Sequence, residues 1–347
     1  KSGGMMKNDN RNDRRTSGPA KGTGKTKATG KANAAGKTKV TAGKENRVPV
    51  GQGREKTAVK NKSGICPVAD KCGGCSWINQ PYAEQLKKKE KQLGELLAPF
   101  CKIEGVIPME HPEHYRNKVH AVFGENRYHD AISGIYEQKS HRIVPVDSCL
   151  IENAKADEII VSIRGLLKSF HIRPYNEDTG YGLLRHVLIR TGHVTGQIMV
   201  VLVLASPILP SKNNFVKALL KLHPEITTVV INVNNRNTSM VLGDKEHVIY
   251  GKGYIEDELC GKRFRISPRS FYQVNPVQTE ILYGKALEYA GLTGKETVVD
   301  AYCGTGTIGM IASDKAGKVI GVELNADAVR DARNNAKANQ IRNIQFY

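Results

Sequence analysis

Apolar residues recur at helical spacing in two stretches of the first half of this chain. In residues 84–97 (EQLKKKEKQLGELL), Leu86, Leu93, Leu96 and Leu97 fall near one helical face, with Lys and Glu around the rest. In residues 154–170, Ile159, Ile160, Ile163, Leu166, Leu167 and Phe170 do the same. Elsewhere the pattern shifts to short apolar runs that read as strands: KVHAVF, HRIVPV, HVLIR, QIMVVLVLA and ITTVVINV, with a further helix around residues 215–222. This mixture predicts an α+β central domain ending near residue 262.

A boundary follows at SPRSFYQVNPVQTEILYGKALEYAG. Asn275 is suited to cap a helix whose first position is Pro276, where the missing N–H costs nothing, and Gly291 to end it. The pattern then runs strand (ETVVD), glycine loop, helix, strand (KVIGVE), helix (325–339) and the opening of a strand at NIQFY. Such alternation predicts a parallel, doubly wound α/β sheet of Rossmann-like type. Three strands make only its first half, and an open edge with uncovered apolar faces is a liability in solution. The expectation is therefore that the natural protein continues beyond Tyr347, and the opening Lys1 in place of Met hints likewise at an incomplete reading frame. The predicted organisation is a tail over residues 1–63, a central domain over 64–262, and an incomplete α/β domain over 263–347.

Charge changes the picture at the front of the chain. The 347 residues carry a formal charge of +18 with a mean hydropathy of −0.41. Residues 1–65 hold 17 Lys or Arg against 4 Asp or Glu, whereas the remainder holds 35 against 30. The tail is rich in Gly, Lys and Thr and too poor in large apolar residues to offset the entropy of ordering, which predicts disorder. Its charge suits a polyanion such as nucleic acid; the alternative is a solubilising role alone. The longest apolar run, residues 198–205, is far short of the ~20 residues needed to cross a bilayer, and no export signal opens the chain. A cytoplasmic monomer with reduced thiols is expected.

Two motifs carry candidate chemistry. Cys66, Cys72 and Cys75 form C-x5-C-x2-C in CPVADKCGGC, and Cys149 stands alone in VPVDSCL. Thiolates brought back to one point suit zinc or an iron–sulfur cluster, and spacing leaves both open. Further on, Asp300 leads into YCGTGTIG, where Gly304, Gly306 and Gly309 spell G-x-G-x-x-G, and Glu323 follows 19 positions after Gly304. Small residues let a backbone approach a ligand, and a carboxylate at the next strand end can take ribose hydroxyls. Asp300 would repel a pyrophosphate, which weighs against a nicotinamide cofactor; S-adenosylmethionine, cationic and without phosphate, suits the loop better. Cys303 has no identifiable base nearby, and Cys101 and Cys260 read as ordinary semi-buried thiols.

The segments CPVADKCGGCSWINQPYAEQLKKK, YRNK, VDSCL, SPRSFYQVN, VDAYCGTGTIG and IGVE, in this order, resemble the RNA uracil-5-methyltransferases, in particular the branch modifying 23S ribosomal RNA. The resemblance runs from about Cys66 to Tyr347. It implies a 4Fe–4S cluster on Cys66, Cys72, Cys75 and Cys149, joined to a class I methyltransferase fold. It also implies S-adenosylmethionine contacts from Gln273, Tyr302 and Glu323, beside Asp300, Gly304 and Gly306. The transfer-RNA branch is similar in its catalytic part but typically lacks these cysteines, which favours ribosomal RNA; a non-catalytic, metal-containing RNA-binding module is a further alternative. In the family a cysteine adds to uracil C6, C5 takes the methyl group, and a carboxylate removes the C5 proton. That cysteine and that carboxylate are expected after Tyr347, so the chain as given is expected to be inactive. Relatives commonly begin with a small RNA-binding β-barrel, for which residues 1–63 show no strand pattern.

Overall fold

The structure, a computed structural model, describes residues 66–236 and 240–347; the tail and the disorder expected of it lie outside the described residues. Helix α1 (Tyr82–Leu97) forms where the leucine spacing predicts, yet none of its residues is fully buried, and Leu96 is 71% exposed. The helix is followed by an exposed Phe100 and an exposed Cys101, so Cys101 is a surface thiol and not the semi-buried one its apolar surroundings in sequence suggest.

Strands β1 (Lys118–Glu125), β2 (Ala131–Tyr136), β3 (Ile143–Pro145), β4 (Leu184–Thr191), β5 (Ile198–Leu204), β6 (Ile226–Val233) and β7 (Lys245–Tyr250) make a seven-stranded sheet of order β3-β2-β1-β4-β5-β6-β7. It is mixed: β5 and β6 are parallel and every other neighbouring pair is antiparallel. Helix α3 (Lys212–Leu222) is the crossover that the parallel pair requires. Helix α2 (Ala154–Leu166) is capped by Asn153, whose side chain accepts from the N–H groups of Lys155 and Ala156. Both helices lie on one face of the sheet, where Ile159, Ile163, Phe215 and Leu219 pack on Val187, Ile189, Val200, Leu202 and Val229.

Because side chains alternate along a strand, Met199 and Val201 of β5 point the other way. They join Leu188 and Val230 in a second core with the hairpin β8 (Ile255–Leu259) and β9 (Lys262–Ile266) and with the C-terminal elements. Strand β5 is thus apolar throughout because both of its faces are buried.

Sequence pattern did not indicate β7, β8 or β9. Strand β7 is an exposed edge without an apolar face. In β8 the buried middle position is an acid: Asp257 accepts from the backbone N–H groups of His193 and Val194, each at 2.9 Å, and so closes the turn between β4 and β5. The boundary expected at residue 262 falls at the start of β9, inside a hairpin that packs with the second core.

The C-terminal part is built as the alternation predicts. Helix α4 (Pro276–Ala290) has Asn275 as its cap, accepting from Gln278 N at 3.1 Å, Pro at its start, and Gly291 in the left-handed region at its end. Strands β10 (Thr297–Ala301), β11 (Lys318–Val322) and β12 (Ile344–Phe346) are parallel in that order, linked by α5 (Thr307–Ala312) and α6 (Ala326–Ala338). Asn325 caps α6 through the N–H groups of Asp327 and Ala328. Among the described residues no helix is long and apolar enough to cross a membrane.

Candidate functional site

Strand β10 delivers Asp300 to the mouth of the glycine loop, and there it is engaged. Its Oδ2 accepts the Gly309 N–H at 3.0 Å, satisfying a free donor in the first turn of α5. Burial raises the Asp300 pKa, and the Gly309 hydrogen bond acts against that. The chain then turns through Tyr302, Gly304 and Gly306, all at positive φ: 62°, 56° and 78°. For the glycines this is unstrained, whereas a left-handed tyrosine costs on the order of 1–2 kcal/mol, a strain that concentrates where ligands bind. Tyr302 is also 92% exposed, its ring free to stack on a flat ligand. A Cβ on Gly306 would come within 2.8 Å of the Phe346 ring, but one on Gly304 would meet nothing within 4 Å, so the loop is packed below and open above.

Glu323 closes this arrangement from the end of β11. One carboxylate oxygen accepts Gly304 N–H at 3.0 Å and the other accepts Asn325 N–H at 2.8 Å. The acid spaced 19 residues from the glycine in sequence is therefore its hydrogen-bond partner in space, with lone pairs to spare for a diol. Cys303, in the same loop, is buried; burial together with Asp300 and Glu323 pushes its thiol up to about 11, which makes it a poor nucleophile.

The segment 267–275 lies beside the loop. Thr305 Oγ1 donates to Phe271 O at 3.5 Å, Tyr272 is buried in the second core, and Tyr283 of α4 shares a hydrogen bond with Thr307 of α5. Gln273 sits two residues from Phe271, with its carbonyl held at 3.0 Å by Asn117 Nδ2.

Cys66, Cys72, Cys75 and Cys149 all line one cavity of about 270 Å³, together with Arg116, Lys118 and His120. The Cys66 N–H donates to Asn79 Oδ1 at 3.1 Å, the Gly74 N–H points at Cys72 Sγ at 3.4 Å, and the Cys149 N–H donates to Asp157 Oδ2 at 2.7 Å. Burial raises the Cys75 pKa, and the nearby Cys72 and Cys66 add to it. Sulfurs around a single zinc ion sit about 2.3 Å from the metal. Among the described residues no three Cys, His, Asp or Glu side chains converge tightly enough for one ion. Four cysteines on the wall of one cavity are nonetheless a soft donor set of the kind that zinc and iron–sulfur clusters both take.

Comparison with known proteins decides the family. The family described as tRNA (uracil-5-)-methyltransferase matches residues 81–347. The chain belongs to that family. An RNA methyltransferase of Halalkalibacterium halodurans, itself uncharacterized, is 43% identical over 286 residues, covering 81% of this chain and 62% of the relative. A second, from Caldanaerobacter subterraneus, is also 43% identical, covering 81% and 63%. The chain thus spans less than two thirds of the length of these relatives. Among solved structures, the Pyrococcus abyssi tRNA (uracil-54, C5)-methyltransferase in complex with S-adenosyl-L-homocysteine superimposes with a TM-score of 0.67 at 25% identity, over 80% of this chain and 65% of that one. The α/β part has the class I methyltransferase fold, preceded by the mixed sheet.

For this uracil-5-methyltransferase family member, the structure brings Asp300, Gly304, Gly306 and Glu323 into one hydrogen-bonded turn, with Tyr302 on its exposed side. Sequence reasoning missed Asn117 and Arg190. Both are buried polar residues on or next to sheet strands, and both bond to the segment that carries Gln273. For Arg190 the signal available was a cation ending the apolar run HVLIR.

Proposed function

We propose that the protein methylates uracil C5 in 23S ribosomal RNA with S-adenosylmethionine, using a domain organised by a 4Fe–4S cluster on Cys66, Cys72, Cys75 and Cys149. The observation that carries the cofactor assignment is the Glu323–Gly304 pairing at 3.0 Å beside an open loop surface. In this reading Glu323 takes the ribose hydroxyls, Tyr302 lies along the adenosine, Gln273 meets the amino-acid end, and the Asp300 charge favours a cationic methionine. Gly304 and Gly306 admit the ligand to the backbone. The bound cofactor supplies an electrophilic methyl on a sulfonium. The cluster, when bound, supplies a covalent tie among four thiolates that crosses some eighty residues of sequence. Cys303 is not assigned as the nucleophile, because its thiol is buried and disfavoured as thiolate.

The resemblance of the cysteine-bearing segments to the ribosomal branch supports ribosomal RNA. A second reading, transfer RNA, is favoured by the family description and by the Pyrococcus abyssi neighbour. Incubating the intact protein with methyl-labelled S-adenosylmethionine and, separately, 23S ribosomal RNA and bulk transfer RNA separates them. Label in C5 of a ribosomal uridine is the expected result, and label confined to transfer RNA overturns it.

A further inference from the structure

The segment 267–275 has no regular secondary structure, so its backbone carbonyls have no strand or helix ladder to pair in. Four of them find donors on two residues of the central sheet region. Asn117, directly before β1, donates its backbone N–H to Val274 O at 2.9 Å and its side-chain Nδ2 to Gln273 O at 3.0 Å. Arg190, near the end of β4, donates Nη2 to Pro268 O at 3.3 Å and to Ser270 O. Asn117 is itself fixed, because its carbonyl accepts the Thr191 N–H at 2.9 Å. Only 6% of Asn117 and 3% of Arg190 remain exposed.

The arginine is the unusual half of this pair. Among the described residues it makes no ion pair with a carboxylate, and its Nε has no partner. A cation buried without a counter-charge is an expensive way to fill space. What a guanidinium provides that an apolar side chain lacks is direction: a planar fork that fixes where carbonyl groups lie. The carbonyls it fixes bracket Phe271 from one side, while Asn117 takes Gln273 and Val274 on the other, and Thr305 of the glycine loop reaches Phe271 between them.

We infer that Asn117 and Arg190 are positioning residues for the cofactor, holding the backbone of 268–274 so that Gln273 faces the glycine loop. The inference rests on the reading of Gln273 as a cofactor contact. Neither residue touches the cofactor; both act through the loop. Loss of one such hydrogen bond is worth about a tenfold change in an equilibrium that depends on it.

The test is calorimetric titration of the intact protein with S-adenosylhomocysteine, alongside thermal melting. Asn117→Ala and Arg190→Lys are each expected to weaken binding about tenfold, and Gln273→Ala at least as much. The double variant Asn117→Ala with Gln273→Ala is expected to bind no more weakly than Gln273→Ala alone, because the side-chain hydrogen bond that Asn117→Ala removes is made to Gln273. A merely structural role would lower the melting temperature without this non-additivity. Wild-type affinity in both Asn117→Ala and Arg190→Lys, or a double variant whose loss is the product of the single losses, overturns the inference while leaving the cofactor assignment standing. Wild-type affinity in Gln273→Ala overturns the assignment itself, and the inference with it. Should Asn117→Ala fail to fold, Arg190→Lys, which retains the charge and loses the fork, carries the test.

Discussion

Glu323 holds two backbone donors at once, Gly304 and Asn325, and through them joins the glycine turn to the start of α6. Glu323→Ala is expected to weaken S-adenosylhomocysteine binding by more than tenfold in a titration, and to destabilise by about 1–2 kcal/mol because two N–H groups lose their acceptor. A second prediction at this scale concerns the rings of the half-buried His120 and the buried His186, whose centroids are 4.9 Å apart. Neither His120 Nε2 nor His186 Nδ1 has a hydrogen-bond partner. Burial, with the His120 ring and Arg185 beside it, holds the His186 pKa down to about 3, and burial with Lys118 holds that of His120 down to about 4. The unfolded chain, with histidines near their usual value of about 6.5, binds protons before the folded one does, so stability falls as pH drops from about 6.5 toward 3. His186→Leu is expected to flatten the melting temperature across that window; an unchanged slope would count against a neutral buried ring. The acid and glycines of the glycine loop were legible in sequence because they lie within one strand–loop–strand unit. Asn117 and Arg190 were not, since their partners lie 156 and about 80 positions away.

At the level of elements, apolar periodicity located α2, α3 and the strands β4 to β6 of the first core, but not the hairpin β8–β9, which packs in the second. It says nothing about which core. Helix α1 carries a leucine stripe that the described residues leave uncovered, and β7 is a strand by pairing with β6 and not by any pattern of its own. In β8 the buried acid Asp257 stands where alternation would place an apolar residue, because the turn above it needs an acceptor more than the core needs a methyl group. Where periodicity and packing agree, the cost of disruption is calculable. Phe215 on α3 is wholly buried and meets the Phe170 ring edge-on at 5.4 Å. Phe215→Ala is expected to cost about 3–5 kcal/mol, read by urea denaturation as a lower midpoint with unchanged slope.

Taken whole, the molecule gathers four cysteines scattered over the first half of its sequence around one cavity, although Cys149 reaches it through a loop pinned by Asp157. Anaerobically purified protein is expected to show a broad absorption near 400 nm, an approximate position for thiolate-to-iron charge transfer, and Cys149→Ser to lose both that band and bound iron. Retention of iron at the wild-type level would remove Cys149 from the ligand set.

Strand β5 belongs to both hydrophobic cores at the same time, with Val200 and Leu202 in one and Met199 and Val201 in the other. Neither core can melt without stripping a wall from its neighbour. Scanning calorimetry of this chain should therefore record a single endotherm with equal calorimetric and van't Hoff enthalpies, and two separable peaks would mean that the shared strand does not couple them.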